Sequence, residues 1–582
     1  MSIRFKRDWV LPAACFLLLS AAVLVFCLIR STPKTFRDDR VYHTGISFSA
    51  DPGFYEEPFY LEISAPTDEI YYTLDGSEPD RNSIRYDSPI YVYDRTGDAN
   101  VHSAREDLSL FQDEELRKLY REYREDAGII NIMPDYGIPD HNIAKCTIIK
   151  AVWYDSEGNK SIPAAGTWFT GDGFTNESEI STVSVITDPD EFFDHERGIY
   201  VLGRQSDDFW ESLRDTEDGD EKQEMLEGEW GANFLNSGRD WEREATVQFF
   251  EDGRLKFTQQ AGVRIQGGYS RELLPKSLKL YARPEYDGNT VIHTEPAISL
   301  CMDKLVIYNG GEDIYSKIKD PLMSDICRDM DFATTSYSPC ILYLDGEYWG
   351  YYFLTERIDK RFIQIRYGVD DDNVILTKYG LLKEGVEADL EGYENDMLFI
   401  SDADMTVQEN YEKACEIIDV NSLIDYMAAE IYIARWYDWP SNNYALWKSR
   451  EPEKGRYGDC KWRFILFDVN WGGMTYEDGD ATRDTIELTR QASPLFDNMC
   501  NNPEFREAFI KRLESMREEF APEKVSELID GYVALMADPV NDHNERFLGT
   551  DNGIFYEGNE NLKKFFRERY DYVPEMIEKN FG

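Results

Sequence analysis

Along the first third of the chain apolar residues alternate with polar ones, whereas several later stretches repeat them every three to four positions. Phe59, Leu61 and Ile63 alternate with polar neighbours, as do Ile70, Tyr72 and Leu74, and the second run ends at Asp75-Gly76. Period-two alternation closed by a turn dipeptide predicts half-buried strands. A further strand is expected from Thr147 to Tyr154, followed by the turn residues Glu157-Gly158-Asn159, so residues 44–175 read as a small β-sandwich. Between its halves, over roughly 95–144, Leu116, Leu119, Tyr120 and Tyr123 recur at helical spacing among charges. An amphipathic helix packed against the sandwich is predicted there. From Ser181 the pattern becomes mixed α and β: STVSVITDP alternates as a strand, ERGIYVLG reads as a short strand and turn, and the acidic segment Asp207 to Glu229 reads as a solvated surface loop. The expected architecture is multidomain, with a small all-β sandwich followed by a large α+β domain over 181–582.

The amino terminus has a different character. Trp9 to Ile29 is a 21-residue stretch without a charged side chain, preceded by Arg4, Lys6 and Arg7 and closed by Arg30. As a helix it spans roughly 31 Å, enough for one hydrocarbon core. The stretch is long for a signal-peptide core, and no small-x-small cleavage site closes it. Residues 1–30 are therefore expected to be a cytoplasmic tip and a transmembrane signal anchor, and 31–43 a juxtamembrane linker. The basic flank places the amino terminus inside, in a single-pass arrangement with the bulk of the chain extracellular.

Composition removes several classes of function. With 37 Tyr, 32 Phe and 12 Trp in 582 residues there is ample apolar area for folded cores. A net charge of -50 disfavours a general basic surface for nucleic acid, so no nucleic-acid partner is expected. The nine cysteines form no CxxC pair and the six histidines no HExxH, which argues against zinc clusters, a dense disulfide scaffold and histidine-based metallohydrolase chemistry.

Three blocks carry candidate chemistry. In AGVRIQGGYSRELLPKSLKLYAR, Val263 and Ile265 alternate into Gly267 and Gly268, followed by Ser270, Arg271, Lys276 and Lys279. Adjacent glycines let backbone amides approach phosphate oxygens, and nearby cations neutralise them, although a plain glycine turn flanked by solvated lysines has the same sequence. In CILYLDGEYWGYYFLTERIDKRF two apolar strands flank the turn Asp345-Gly346 and end at Glu356, a carboxylate placed either to pair with a phosphate-binding lysine or to bond Arg357 or Lys360. The third block places Leu423, Tyr426, Met427, Ile431 and Ala434 on one face of a helix that is expected to stop near Trp439-Pro440, so that Asp438 emerges at its end. Asn443 follows five residues later, and Phe464 to Phe467 read as a buried strand delivering Asp468. The Asp-to-Asn spacing equals that of the protein-kinase catalytic loop, and the strand-end Asp stands where a metal-binding Asp is expected. Oxygen ligands of this kind suit Mg²⁺. Taken singly, Asp438 also fits a turn cap and Asp468 a loop initiator.

Two resemblances follow from these strings. YYTLDGSEPD and IIKAVWYDSEGNKS resemble the small Ig-like domain at the carboxyl end of chitobiases and hexosaminidases, which implies an accessory fold serving as a spacer or holding a glycan. RIQGGYSRELLPKSLKL, LDGEYWGYYFLTERIDK, NNYALW, FDVNWGG and the opening STVSVITDPDEFFDHERGIYVLG resemble the spore coat protein H kinase family over most of 181–575. That resemblance implies a divergent kinase-like fold using ATP and Mg²⁺ to phosphorylate protein substrates. By matching position, Asp438 would be the catalytic base, Asn443 and Asp468 would bind metal, and Lys276 or Lys279 would contact ATP phosphates beside Ser270 and Arg271. The family often carries an acid two residues after the metal Asp and histidines before the Asn, where this chain has Asn470 and Asn442. The alternatives are a non-catalytic cell-envelope binding or assembly protein with a degenerate kinase fold and, third, a carbohydrate-active protein.

Overall fold

Asp345 and Gly346 both adopt left-handed backbone, φ 48° and 84°, the geometry a two-residue hairpin turn requires. The hairpin they close is the spine of a computed structural model that describes residues 44–126, 134–171, 174, 180–216, 219–227, 231–293, 302–435, 438–473 and 480–582. The apolar stretch Trp9–Ile29 lies outside the described residues; among those described, no helix is long and apolar enough to cross a membrane.

Seven strands form the first layer of the large α+β domain: β1 (Ser181–Thr187), β2 (Arg243–Glu251), β3 (Arg254–Gln266), β4 (Ser277–Tyr281), β5 (Lys304–Tyr308), β6 (Tyr337–Leu344) and β7 (Glu347–Glu356). Their order is β2-β1-β6-β7-β5-β4-β3, and β2 also pairs with β3, so the sheet closes on itself as a barrel. Closure leaves no exposed edge among these strands. Every residue of β7 is buried, because one face points into the barrel and the other is covered by helices.

The second layer is a four-stranded sheet, order β9-β8-β10-β11, made of β8 (Val374–Lys378), β9 (Leu381–Glu384), β10 (Ala445–Ser449) and β11 (Arg463–Ile465). The helices of this domain include α2 (Lys319–Ile326), α3 (Val420–Tyr432), α4 (Pro522–Leu548) and α5 (Gly553–Phe581), of which α3 packs against β11 and α4 against β7. α3 is buried from Ser422 to Tyr432 and stacks Tyr426 on Phe464 at 4.3 Å. It ends earlier than the apolar spacing predicted. Ala434 turns left-handed at φ 54°, and Arg569 of α5 donates to the terminal carbonyls of Ile431 (2.5 Å) and Tyr432 (3.0 Å). Asp438 therefore sits on a loop beyond the helix rather than at its tip.

The N-terminal region is rich in β structure. Strands Ile70–Thr73, Thr147–Trp153 and Ala164–Thr170 pair antiparallel over a core of Leu61, Ile63, Ile149 and Trp168, and Gly53 links this sheet to Arg254 of β3. The helix expected between its halves exists as α1 (Glu114–Asp126), but it packs elsewhere. Leu116, Tyr120 and the preceding Phe111 join the barrel core with Tyr200 and Leu273, and the buried carboxylate of Glu347 accepts the amides of Val101 (2.6 Å) and Ser103 (2.8 Å). Apolar spacing reveals a buried face without revealing its partner. Two further expectations change. ERGIYVLG contains no strand, and the acidic segment read as a loop holds helices Arg204–Asp215 and Gly219–Glu227, the first burying Trp210 and Leu213.

Because Phe111 is fully buried in the barrel core, Phe111→Ala should lower stability by about 3–5 kcal/mol. A urea midpoint unchanged from wild type would show that the insertion adds nothing to that core.

Candidate functional site

A cleft of about 690 Å³ opens between the barrel and the four-stranded sheet, a size suited to a small-molecule ligand. Its roof is the glycine turn. β3 runs into Gly267 at φ 125°, where an added Cβ would come within 2.4 Å of Ser270 Oγ, so the turn requires glycine. Gly267, Gly268 and Ser270 all line the cleft. Arg271 instead braces the turn from behind, donating to the carbonyl oxygens of Gly267 (2.8 Å), Leu235 (2.9 Å) and Asn236 (2.8 Å).

The two lysines of this block part company. Lys276 is fully buried, donates to the Arg271 carbonyl at 2.7 Å and lies 3.5 Å from the centre of the Phe234 ring, with burial pushing its ammonium well below the ordinary lysine range. It points away from the cleft. Lys279 lies on the strand face that Ser277 presents to the cleft, and burial together with the charges of Arg357 and Arg264 brings it down to about 7. Period-two geometry explains the difference. Lys276 shares parity with the inward Leu278 and Leu280, a signal already present in KSLKL.

Glu356 reaches the cleft wall at the end of β7 but is committed to Arg366, at 3.0 Å and 2.5 Å, and to the Ser336 amide at 2.6 Å. Its partner is thus neither a phosphate-binding lysine nor Arg357 or Lys360. β5 is tied to α2 by Tyr308, whose hydroxyl donates to Asp320 Oδ2 at 2.6 Å. Asp320 Oδ1 in turn accepts the Val469 amide at 2.7 Å, which fixes the loop after Asp468.

Arg435 organises the floor. Buried at 1% exposure, it donates to Asp438 Oδ1 (3.1 Å) and Oδ2 (3.0 Å), Glu430 Oε1 (3.1 Å), and the carbonyls of Asn443 (3.1 Å) and Phe467 (3.3 Å). One guanidinium therefore fastens Asp438, Asn443 and the residue before Asp468. Asn443 and Asp468 each hold left-handed backbone, φ 52° and 56°, a conformation Asn and Asp tolerate better than other side chains. Asn443 gives its amide nitrogen to Asp438 Oδ2 at 2.6 Å, which leaves its carbonyl oxygen for a cation. Asp468 Oδ1 accepts from Asn470 at 2.8 Å.

Carboxyl groups crowd this floor. Burial raises Asp468 above the ordinary carboxylate range, Arg435 opposes the rise, and the charge on Asp438 adds to it. Burial and the charge on Asp468 push Glu312 up to about 8 and Asp320 up to about 7. A divalent cation relieves such mutual repulsion, and the donors are the hard oxygens Mg²⁺ prefers. The residues present thus fit the metal that the sequence implied. The opposite wall is basic, with Arg357, Lys378 and Lys383. Glu312, Arg435 and these three cations were not foreseen as site residues; Arg435, three residues before a candidate catalytic Asp, and Arg357, directly after Glu356, stood near a recognisable signal.

Barrel, helical layer and the intervening cleft with its Asp–Asn and strand-end Asp define a kinase-like domain. The family described as CotH kinase protein matches residues 263–573, more than half of the chain, and the family described as Fn3 associated matches residues 60–165. This chain belongs to the CotH kinase protein family and carries an N-terminal Ig-like domain. No match was found among curated proteins.

Removing Arg435 strands two acids. Arg435→Met should cost about 3–5 kcal/mol in thermal or urea unfolding, with Arg435→Lys a poor substitute because one ammonium cannot span Glu430 and Asp438. Wild-type stability in Arg435→Met would mean that the clamp is dispensable.

Proposed function

We propose that the chain is an extracytoplasmic, membrane-anchored atypical protein kinase that transfers the γ-phosphate of ATP to protein hydroxyls. The observation that carries this reading is the convergence of Asp438, Asn443 and Asp468 on one cleft beneath a glycine turn. Asp468 and the side-chain oxygen of Asn443 would hold Mg²⁺, which neutralises phosphate oxygens when bound. Asp438 orients the acceptor. Its Oδ2 already accepts two hydrogen bonds and its Oδ1 one, so a lone pair of Oδ1 is free to accept the substrate hydroxyl proton. The hydroxyl oxygen forms its bond to the γ-phosphorus as the bond to the β-bridging oxygen breaks, and the electron pair leaves with ADP. The roof amides of Gly267 and Gly268 border the phosphates. Asn470, standing where the family often has an acid, favours as a second reading a degenerate protein that binds nucleotide without turnover.

Labelled ATP incubated with the full-length protein separates these readings. Transfer to the protein itself or to an added acceptor is expected, falling at least a hundredfold in Asp468→Asn, consistent with removal of a charge-stabilising group. Mg²⁺ should raise the melting temperature of wild type and not of Asp468→Asn. Nucleotide binding without transfer supports the degenerate reading; no Mg²⁺ shift and no transfer rejects the kinase.

A further inference from the structure

The barrel hides its strand edges by closing, whereas the four-stranded sheet has two. One of them is capped. Beyond β11, Ala333 donates its N–H to the Phe464 carbonyl at 3.1 Å and accepts from the Leu466 N–H at 2.8 Å. The other edge is β9, and among the described residues no hydrogen bond reaches its main chain from outside the sheet. Native proteins cover such edges or blunt them with proline and charge. β9 has no proline, its one lysine, Lys383, lines the cleft, and Leu381 stands 57% exposed.

The hairpin carries this edge to the mouth of the cleft. Tyr379 and Gly380 are left-handed, φ 55° and 72°, and close a two-residue turn between β8 and β9. Tyr379 donates its N–H to the carbonyl of Tyr444, the residue after Asn443, at 3.1 Å, and it lines the cleft with Asp438 and Asp468. The turn also fixes which groups are free. Lys378 and Leu381, which flank it and pair, exchange the ladder bonds, so alternation directs the N–H and carbonyl of Leu382 outward.

Only extended backbone matches the spacing of donors and acceptors along a strand edge. An edge that starts beside Asp438 suits the polypeptide whose hydroxyl must arrive there. Charge narrows the occupant further: the chain carries a net charge of -50, and the helix after β9, Glu387–Asp402, exposes Glu387, Glu391 and Glu394. Both favour a basic segment. We infer that β9 is the docking edge for the acceptor, on which an extended basic segment adds as a further strand and carries its hydroxyl past Tyr379 into the cleft. The inference rests on the phosphotransfer reading above.

Binding of labelled myelin basic protein, an unfolded basic polypeptide, to the full-length protein tests this beside binding of a fluorescent ATP analogue. Leu382→Pro removes the outward N–H and should weaken the polypeptide roughly fivefold or more, the loss expected for one main-chain hydrogen bond. Leu382→Val keeps the N–H and should bind as wild type. Leu381→Lys, at an exposed position that leaves the ladder intact, should also weaken the polypeptide, by like charge and lost apolar contact. The ATP analogue should bind all of these variants as it binds wild type, and the melting temperature of Leu381→Lys should be unchanged. Wild-type affinity for the polypeptide in Leu381→Lys and in a folded Leu382→Pro overturns the docking edge. So does equal loss of both probes, or a wild type that does not bind the polypeptide. Selective loss in a protein that transfers no phosphate to the polypeptide keeps the edge as a peptide site and removes the kinase reading; transfer that neither variant impairs does the reverse.

Discussion

Everything on the floor of the cleft depends on the Arg435 guanidinium. The loop carrying Asp438 and Asn443 and the strand exit carrying Asp468 are separate stretches of chain, and both are fastened to the same buried cation, the second through the Phe467 carbonyl. Such a clamp is stable only as a set. Burial penalises the arginine, and Glu430 and Asp438 hold its charge in place; without it both acids are left desolvated. The arrangement explains how strained left-handed conformations at Asn443 and Asp468 persist, because the surrounding contacts over-determine them. Arg569 extends the same logic outward by taking the carbonyls at the end of α3 and those of Ala481 and Arg483, which follow Asp468 in the chain.

Around this clamp the cleft divides by charge. Carboxyl groups gather on the floor, and basic side chains stand on the wall made by β7, β8 and β9. In water at this net charge, opposite groups so close would normally pair; here the polar network separates them by giving Asp438 to Arg435 and Glu356 to Arg366. Structural cations thereby satisfy the acids that would otherwise quench the wall. The geometry leaves an acidic end and a basic end addressing one space, which is the distribution a metal-bound polyphosphate requires.

Much of this was legible in the sequence where local rules decide. The Asp345-Gly346 hairpin follows from turn chemistry, the glycine turn after β3 from alternation ending in two glycines, and the meeting of Asp438 and Asn443 at one cleft from their five-residue spacing. What escaped was decided by neighbours distant in the chain. α1 showed its apolar face but not that the barrel would cover it, and Trp210 and Leu213 were obscured by the acidic residues around them, Asp207, Asp208, Glu211 and Asp215. Lys378 gave no motif at all, because its meaning arises only when β8 pairs with β10 and brings it beside Phe467. Lys276 was misplaced for a different reason: its charge drew attention, although its parity with Leu278 and Leu280 already pointed it inward.

Asn470 illustrates how a local substitution is misjudged without its surroundings. Read along the chain, it stands two residues after Asp468 where the family often has an acid. In space, its amide supports Asp468, and a Cβ on Gly311 would approach its nitrogen within 2.5 Å, so the loop after β5 packs directly against it. The next residue on that loop is Glu312, which lines the cleft and feels Asp468 as its strongest charge. The carboxyl groups facing the floor therefore come from Asp468, Asp438 and a residue about 160 positions earlier in the chain, so the Asn470 substitution alone does not leave the floor short of carboxyl groups.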